Sequence, residues 1–226
     1  MIAEEIHNIT QALPAGVRLV AVSKYHPADA IREAYAAGQR LFGESHAQEL
    51  QRKHQELTDL ELQWHFIGHL QTNKVKYIAP YVHLIHSMDS PHLLAEINKQ
   101  ALKAGRTIPC LLQLHVAQEE TKFGFTFSEC RQMLSEGEWR TMEGVRLCGV
   151  MCMASNTPDE SRIRQDFRSV SDFFSQIKAD YFASAPHFAI RSYGMSHDYP
   201  LAIAEGSNMV RIGTDIFGPR PLTIDH

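Results

Sequence analysis

The stretch RLVAVSKYHPADAIREAYAAGQRLFGES (18–45) reads as strand, helix, strand. Leu19 to Val22 form an apolar run that ends in Ser23 and Lys24, and residues 40–45 form another. Between them, Pro27 opens a helical pattern and Gly38 closes it, the end-point preferences of proline and glycine. The same alternation continues outward. Further short apolar runs are LQWHFIG (62–68), HLIHSM (83–88), IPCLLQLHV (108–116), VRLCGVMCM (145–153), HFAIRSY (187–193) and MVRIGTDI (209–216). Short apolar runs with β-branched and aromatic residues suit parallel strands buried on both faces.

Helical patterns fill the gaps. SPHLLAEINKQALKAG (90–105) has Ser90 as N-cap, Pro91 at the first helical position and Gly105 at the end. Residues 159–178 place Ile163, Phe167, Val170, Phe173, Phe174 and Ile177 on one helix face. HDYPLAIAEG (197–206) ends at Gly206, and segments around 47–57, 72–79 and 128–136 supply further helices. MIAEEIHNITQAL adds a helix before the first strand. Eight strands alternating with helices predict an α/β protein, a single (β/α)₈ TIM barrel domain over residues 1–226 with an extra N-terminal helix. An open doubly wound sheet is the competitor, but no GxGxxG follows the first strand.

Composition narrows the functional classes. The 226 residues carry 22 Lys+Arg and 26 Asp+Glu, a formal charge of −4, with 44% hydrophobic residues. That balance excludes a disordered chain and argues against a nucleic-acid binder. No run free of Lys, Arg, Asp and Glu exceeds 12 residues, short of the roughly 20 that span a membrane. Two glutamates stand where a signal peptide would be basic, so a cytoplasmic location is expected. Cys110, Cys130, Cys148 and Cys152 form no CxxC and read as reduced, buried small hydrophobes.

In a barrel of this kind the chemistry gathers at the C-terminal strand ends. Lys24 sits at the end of the first strand, where desolvation would disfavour its ammonium form. A free amine there can attack an aldehyde, either a sugar phosphate or pyridoxal 5′-phosphate (PLP). The bland alternative is a lysine that snorkels to solvent. The run Ser192-Tyr193-Gly194-Met195-Ser196 ends the seventh strand, and Arg211-Ile212-Gly213-Thr214 the eighth. Small residues and hydroxyls there suit a phosphate. Strand one closes the barrel beside strand eight, which would place Lys24 near that phosphate. Arg211, two residues before Gly213, would share its face. Opposite a pyridine nitrogen, Arg211 would donate a hydrogen bond and leave that nitrogen unprotonated; otherwise it is a phosphate contact or a structural ion pair.

At these residues the chain resembles the pyridoxal phosphate homeostasis proteins, the YggS/PROSC-type family. AVSKYHPADAIREAYAAGQRLFGE (21–44), WHFIGHLQTNKVKYI (64–78), EETKFGF (119–125), GMSHDYPLAIAEGS (194–207) and MVRIGTDIFG (209–218) carry the likeness. The resemblance implies a single PLP-binding barrel like the N-terminal domain of alanine racemase, with no established turnover. It implies Lys24 as the residue bonded to the PLP aldehyde, Ser192, Gly213 and Thr214 as phosphate contacts, and Arg211 at the pyridine nitrogen. Lys122 matches a lysine proposed to take part in PLP handover, with PLP-dependent apoenzymes as partners, and a monomer is expected. The sequence departs from the family pattern at Ser45, in place of an asparagine, and at Arg191 and Tyr193, where Tyr193 is expected to alter packing near the cofactor. Variation at Met151 to Ala154 is expected to touch the ring region.

Other constellations weigh less. His65 and His69 form HxxxH, but on a strand and its exit loop, without a zincin glutamate. Lys74 and Lys76 read as a solvated helix face, and Glu44 and Asp89 as strand-end carboxylates with an acid/base or a structural role. Two rival functions stay open, a PLP-dependent amino-acid racemase and a Schiff-base aldolase. About ten residues follow the eighth strand, leaving no room for the second domain from which alanine racemase draws a base, so the non-enzymatic reading is the expectation. Lys24 has no evident acid/base partner for an aldolase.

Overall fold

The computed structural model describes residues 1–119 and 123–219. Eight parallel strands close a barrel in chain order: β1 Arg18–Val22, β2 Leu41–Glu44, β3 Gln63–Phe66, β4 Leu84–Met88, β5 Ile108–His115, β6 Val145–Met153, β7 Ile190–Met195 and β8 Met209–Ile212. β1 pairs with both β2 and β8, so the sheet has no open edge. Outside it lie α1 Ile2–Ala12, α2 Ala28–Ala36, α3 Ala47–Glu56, α4 Val75–Ile78, α5 Pro91–Lys103, α6 Phe127–Glu136, α7 Glu160–Tyr181, α8 Tyr199–Ala204 and α9 Thr214–Phe217. This is the barrel that the alternation of runs predicts, with α1 as the extra helix.

Local signals act where they were read. The Leu93 N–H donates to the Ser90 hydroxyl at the start of α5; a reciprocal cap of Thr126 and Glu129 on α6, which the sequence reading does not single out, adds to it. The apolar face of α7 is buried from Ile163 to Ile177. Two apolar regions result. The larger lies between barrel and helices. The smaller fills the barrel interior with Val20, Leu84, Leu111, Met151 and Met209. Two residues further along β4 and β8 the interior turns polar, at His86 and Arg211, both buried.

Strand seven departs from its expected limits. The 187–193 run begins with a loop, because Phe188 leaves the ladder and stacks on Phe182, with centroids 3.8 Å apart, at the base of α7. The strand instead runs on to Met195. β7 pairs Ser192 with Met209 but Met195 with Arg211, so one extra residue is accommodated. Gly194 sits in that bulge at φ +96°, a conformation that glycine adopts without a steric cost. β8 ends at Ile212, and Thr214–Phe217 turn into a helix rather than prolonging the strand.

Candidate functional site

Lys24 lies in a tight turn at the exit of β1. The His26 N–H bonds the Ser23 carbonyl at 3.1 Å. Tyr25 adopts φ +68°, an uncommon conformation for a tyrosine. A buried ionic cluster holds the turn from below. Lys53 of α3 is 0% exposed, and its three ammonium hydrogens go to the Ser23 carbonyl at 2.8 Å, Glu44 at 2.7 Å and Glu49 at 2.7 Å. Glu44 also accepts from the Ser23 hydroxyl at 2.6 Å, and Glu49 accepts the Tyr25 N–H at 2.7 Å. Glu49 thus secures the amide of the strained residue next to Lys24. Glu44 has the structural role of the two weighed for it.

Across the β1–β8 seam, Val20 pairs with Arg211. Arg211 is 4% exposed. Its guanidinium donates to the Ser192 carbonyl at 2.7 Å, the Ser192 hydroxyl at 2.6 Å and the Cys152 carbonyl at 3.0 Å. It makes no ion pair among the described residues, and burial lowers its pKa, the mark of a costly desolvated charge. His86 contacts Ser192 at 2.8 Å, and His65 contacts His86 at 2.8 Å. Burial pushes both imidazoles well below their ordinary value, so both are neutral.

One cavity of about 520 Å³ opens at the C-terminal strand ends, within the usual range for a small-molecule site. Lys24, Arg211, Gly213 and Thr214 all line it, and so does Ser45. Ser192 does not. Ser192, expected as a phosphate contact, is 0% exposed and points into the barrel interior, where its hydroxyl is taken up by Arg211 and His86. The bulge at Gly194 carries the strand end forward, and the serine on the cavity wall is Ser196. Tyr193 lies on the other face of the strand. It faces outward, 5.6 Å from the Phe167 ring of α7, away from the cavity. Arg191 likewise covers the Phe174 ring at 5.3 Å. Of the 151–154 segment, Met153 lines the cavity, while Cys152 offers its carbonyl to Arg211. Lys122 lies outside the described residues.

Sequence reading missed Lys53, Glu49 and His86, and weighed His65 only as part of an HxxxH with His69. Glu49 and Lys53 stand four apart, the spacing of an ordinary solvent-exposed helix pair. Among the described residues, no helix is long and apolar enough to cross a membrane.

This lysine and arginine, on neighbouring strands over one cavity, define a barrel of the alanine racemase N-terminal domain class, and that family matches residues 1–221. Within it, the chain belongs to the pyridoxal phosphate homeostasis protein family. It is 38% identical over 205 residues to that protein of Aquifex aeolicus, covering 90% of this chain and 87% of the relative. It is 37% identical over 210 residues to that of Escherichia coli, covering 92% of this chain and 87% of the relative. PipY of Synechococcus elongatus, solved without PLP, superposes with a TM-score of 0.91 at 37% identity, over 96% of this chain and 100% of PipY. PipY with PLP bound superposes at 0.88.

The buried cluster sets a pH dependence. Burial raises the Glu44 carboxyl to about 7, against the pull of Lys53. One ammonium between two carboxylates leaves excess negative charge in a dry site, and protonating Glu44 removes it. In the unfolded chain Glu44 titrates in the ordinary carboxylate range, so the folded state holds the extra proton between that range and about 7. The stability it contributes is therefore full below the ordinary range and lost as pH rises through about 7. Urea midpoints taken near about pH 5 and about pH 8 should differ less in Glu44→Gln than in the parent protein.

Proposed function

We propose that this chain holds PLP through a covalent bond to Lys24 and acts in PLP homeostasis, delivering the cofactor to PLP-dependent apoenzymes without efficient turnover of its own. One observation carries the reading. A lysine and a buried arginine that lacks a carboxylate partner among the described residues face the same cavity, beside Ser196, Gly213 and Thr214. These residues fit the group. The Lys24 amine would meet the aldehyde. The hydroxyls of Ser196 and Thr214, with the backbone at Gly213, would meet the phosphate. Arg211 would meet the ring nitrogen.

When bound, PLP supplies an aldehyde that reacts with amines and a ring that can accept electrons. This chain's residues decide which of those properties is used. Arg211 donates a hydrogen bond but does not surrender its proton, so it leaves a facing ring nitrogen uncharged. An uncharged ring draws electrons weakly, which disfavours racemisation. The turn at Ser23–His26, fixed by Glu49 and Lys53, presents the lysine amine at the mouth of the cavity.

Three outcomes test the reading. Borohydride treatment of PLP-loaded protein should leave a stable adduct that peptide mass spectrometry places on Lys24, and Lys24→Ala should carry none. A reduced adduct on another lysine would overturn the assignment. Ser196→Ala combined with Thr214→Val should weaken PLP by roughly a hundredfold or more, since each hydrogen bond lost to a charged group costs about 1.5–3 kcal/mol. Pyridoxal, which lacks the phosphate, should be almost unaffected in the same titration. Chiral chromatography after overnight incubation with L-alanine, L-serine or L-glutamate should show racemisation below about 10⁻² s⁻¹, far under the usual enzyme range.

A further inference from the structure

Arg211, Ser192, His86 and His65 form one unbroken line of contacts through the barrel interior, built from β8, β7, β4 and β3. All four are at most 4% exposed. The direction of the line follows from counting hydrogens. Arg211 can only donate, so the Ser192 hydroxyl oxygen accepts from it at 2.6 Å. If Ser192 passes its own hydrogen to Nδ1 of His86, then His86 carries its proton on Nε2 and donates to Nδ1 of His65. One buried atom is then left over, Nε2 of His65, and it is the buried histidine nitrogen without a hydrogen-bond partner among the described residues. In the reverse direction the Ser192 hydrogen would also lack an acceptor, leaving two orphans in a dry interior, each with a desolvation cost. The line therefore runs outward from Arg211.

We propose that His86 and Ser192, backed by His65, are positioning residues that hold the Arg211 guanidinium against a ring-nitrogen acceptor of the bound ligand. This rests on the PLP reading above. His86 takes the hydrogen of Ser192, and so turns a lone pair of that hydroxyl onto Arg211. Without His86, the serine hydrogen can rotate toward the guanidinium, and the anchor becomes a repulsion. An arginine side chain has several soft torsions, and in this interior its position is set by fixed acceptors: the carbonyls of Ser192 and Cys152, and this hydroxyl. The layer beneath is built from the apolar side chains of Val20, Leu84, Leu111, Met151 and Met209.

The test separates ring-nitrogen recognition from general stability. Affinities are measured for PLP and for its 1-deaza analogue, in which CH replaces the ring nitrogen. The parent protein should prefer PLP, and Arg211→Met should abolish the preference. Ser192→Ala and His86→Leu should each cut the preference by about tenfold, the equivalent of about 1.4 kcal/mol. His86→Asn, which keeps an acceptor near the Nδ1 position, should restore part of it. Ser192→Ala removes a single oxygen and decides the matter if His86→Leu does not fold. Equal loss of affinity for both ligands in Ser192→Ala would mean that the line is only structural, and would overturn the proposal while leaving Arg211 in place. No preference in the parent and none lost in Arg211→Met would instead overturn the ring-nitrogen reading on which it rests.

Discussion

The pairing of β1 with β8 is the contact on which the site depends. Val20 lies opposite Arg211 and Ala21 opposite Ile212, and this register closes the barrel. Closure sets the lysine that follows β1 beside the glycine and threonine that follow β8. Gly213 comes so near the first strand that a Cβ there would stand 3.0 Å from the Val22 carbonyl. A bulkier residue would push the two strand ends apart, and with them the two halves of the cavity. Residues from opposite ends of the chain share one wall because no strand edge remains open.

The interior is layered along the strands. Its lower part is apolar, and its middle part carries His65, His86, Ser192 and Arg211. Polar groups this deep are tolerated when they satisfy one another, and among the described residues those four leave a single orphaned nitrogen. Beside them, under the Lys24 turn, Lys53 is matched by three acceptors. A buried charge of this kind adds little net stability but is costly to break on one side. Its effect is geometric. It fixes Ser23 and Tyr25, and the lysine between them has little freedom at the backbone.

Departures from the family pattern sort by the face on which they fall. Arg191 and Tyr193 point outward and pack on Phe174 and Phe167 of α7. They belong to the seam between barrel and helices, and the cavity does not see them. Ser45 differs, because it lines the cavity. Its backbone also passes so close to Gly68 that a Cβ on that glycine would clash with the Ser45 carbonyl. Ser45 and, in the varying 151–154 segment, Met153 are the positions that line the cavity.

By itself the sequence determined the barrel, its eight strands, the helix capped at Ser90, the apolar face of α7, and the placing of Lys24, Arg211, Gly213 and Thr214 at one end. These follow from local periodicity and from one topological rule, that strand ends gather at one mouth. Tertiary structure decided the rest. An apolar run does not say where its ladder begins, so Phe188 was read into β7 while it packs under α7. A bulge after Ser192 adds one residue and moves the side chains beyond it by one place, and the serine on the cavity wall is Ser196; Ser192, before the bulge, turns inward to Arg211 and His86. Glu49 and Lys53 look like a solvent pair along the helix and become buried only when α3 lies against the β1 turn. His65, His86 and Ser192 are far apart in the chain, and no local pattern joins them. Only the closed sheet sets their three strands around one interior, where the loss of water makes them find each other.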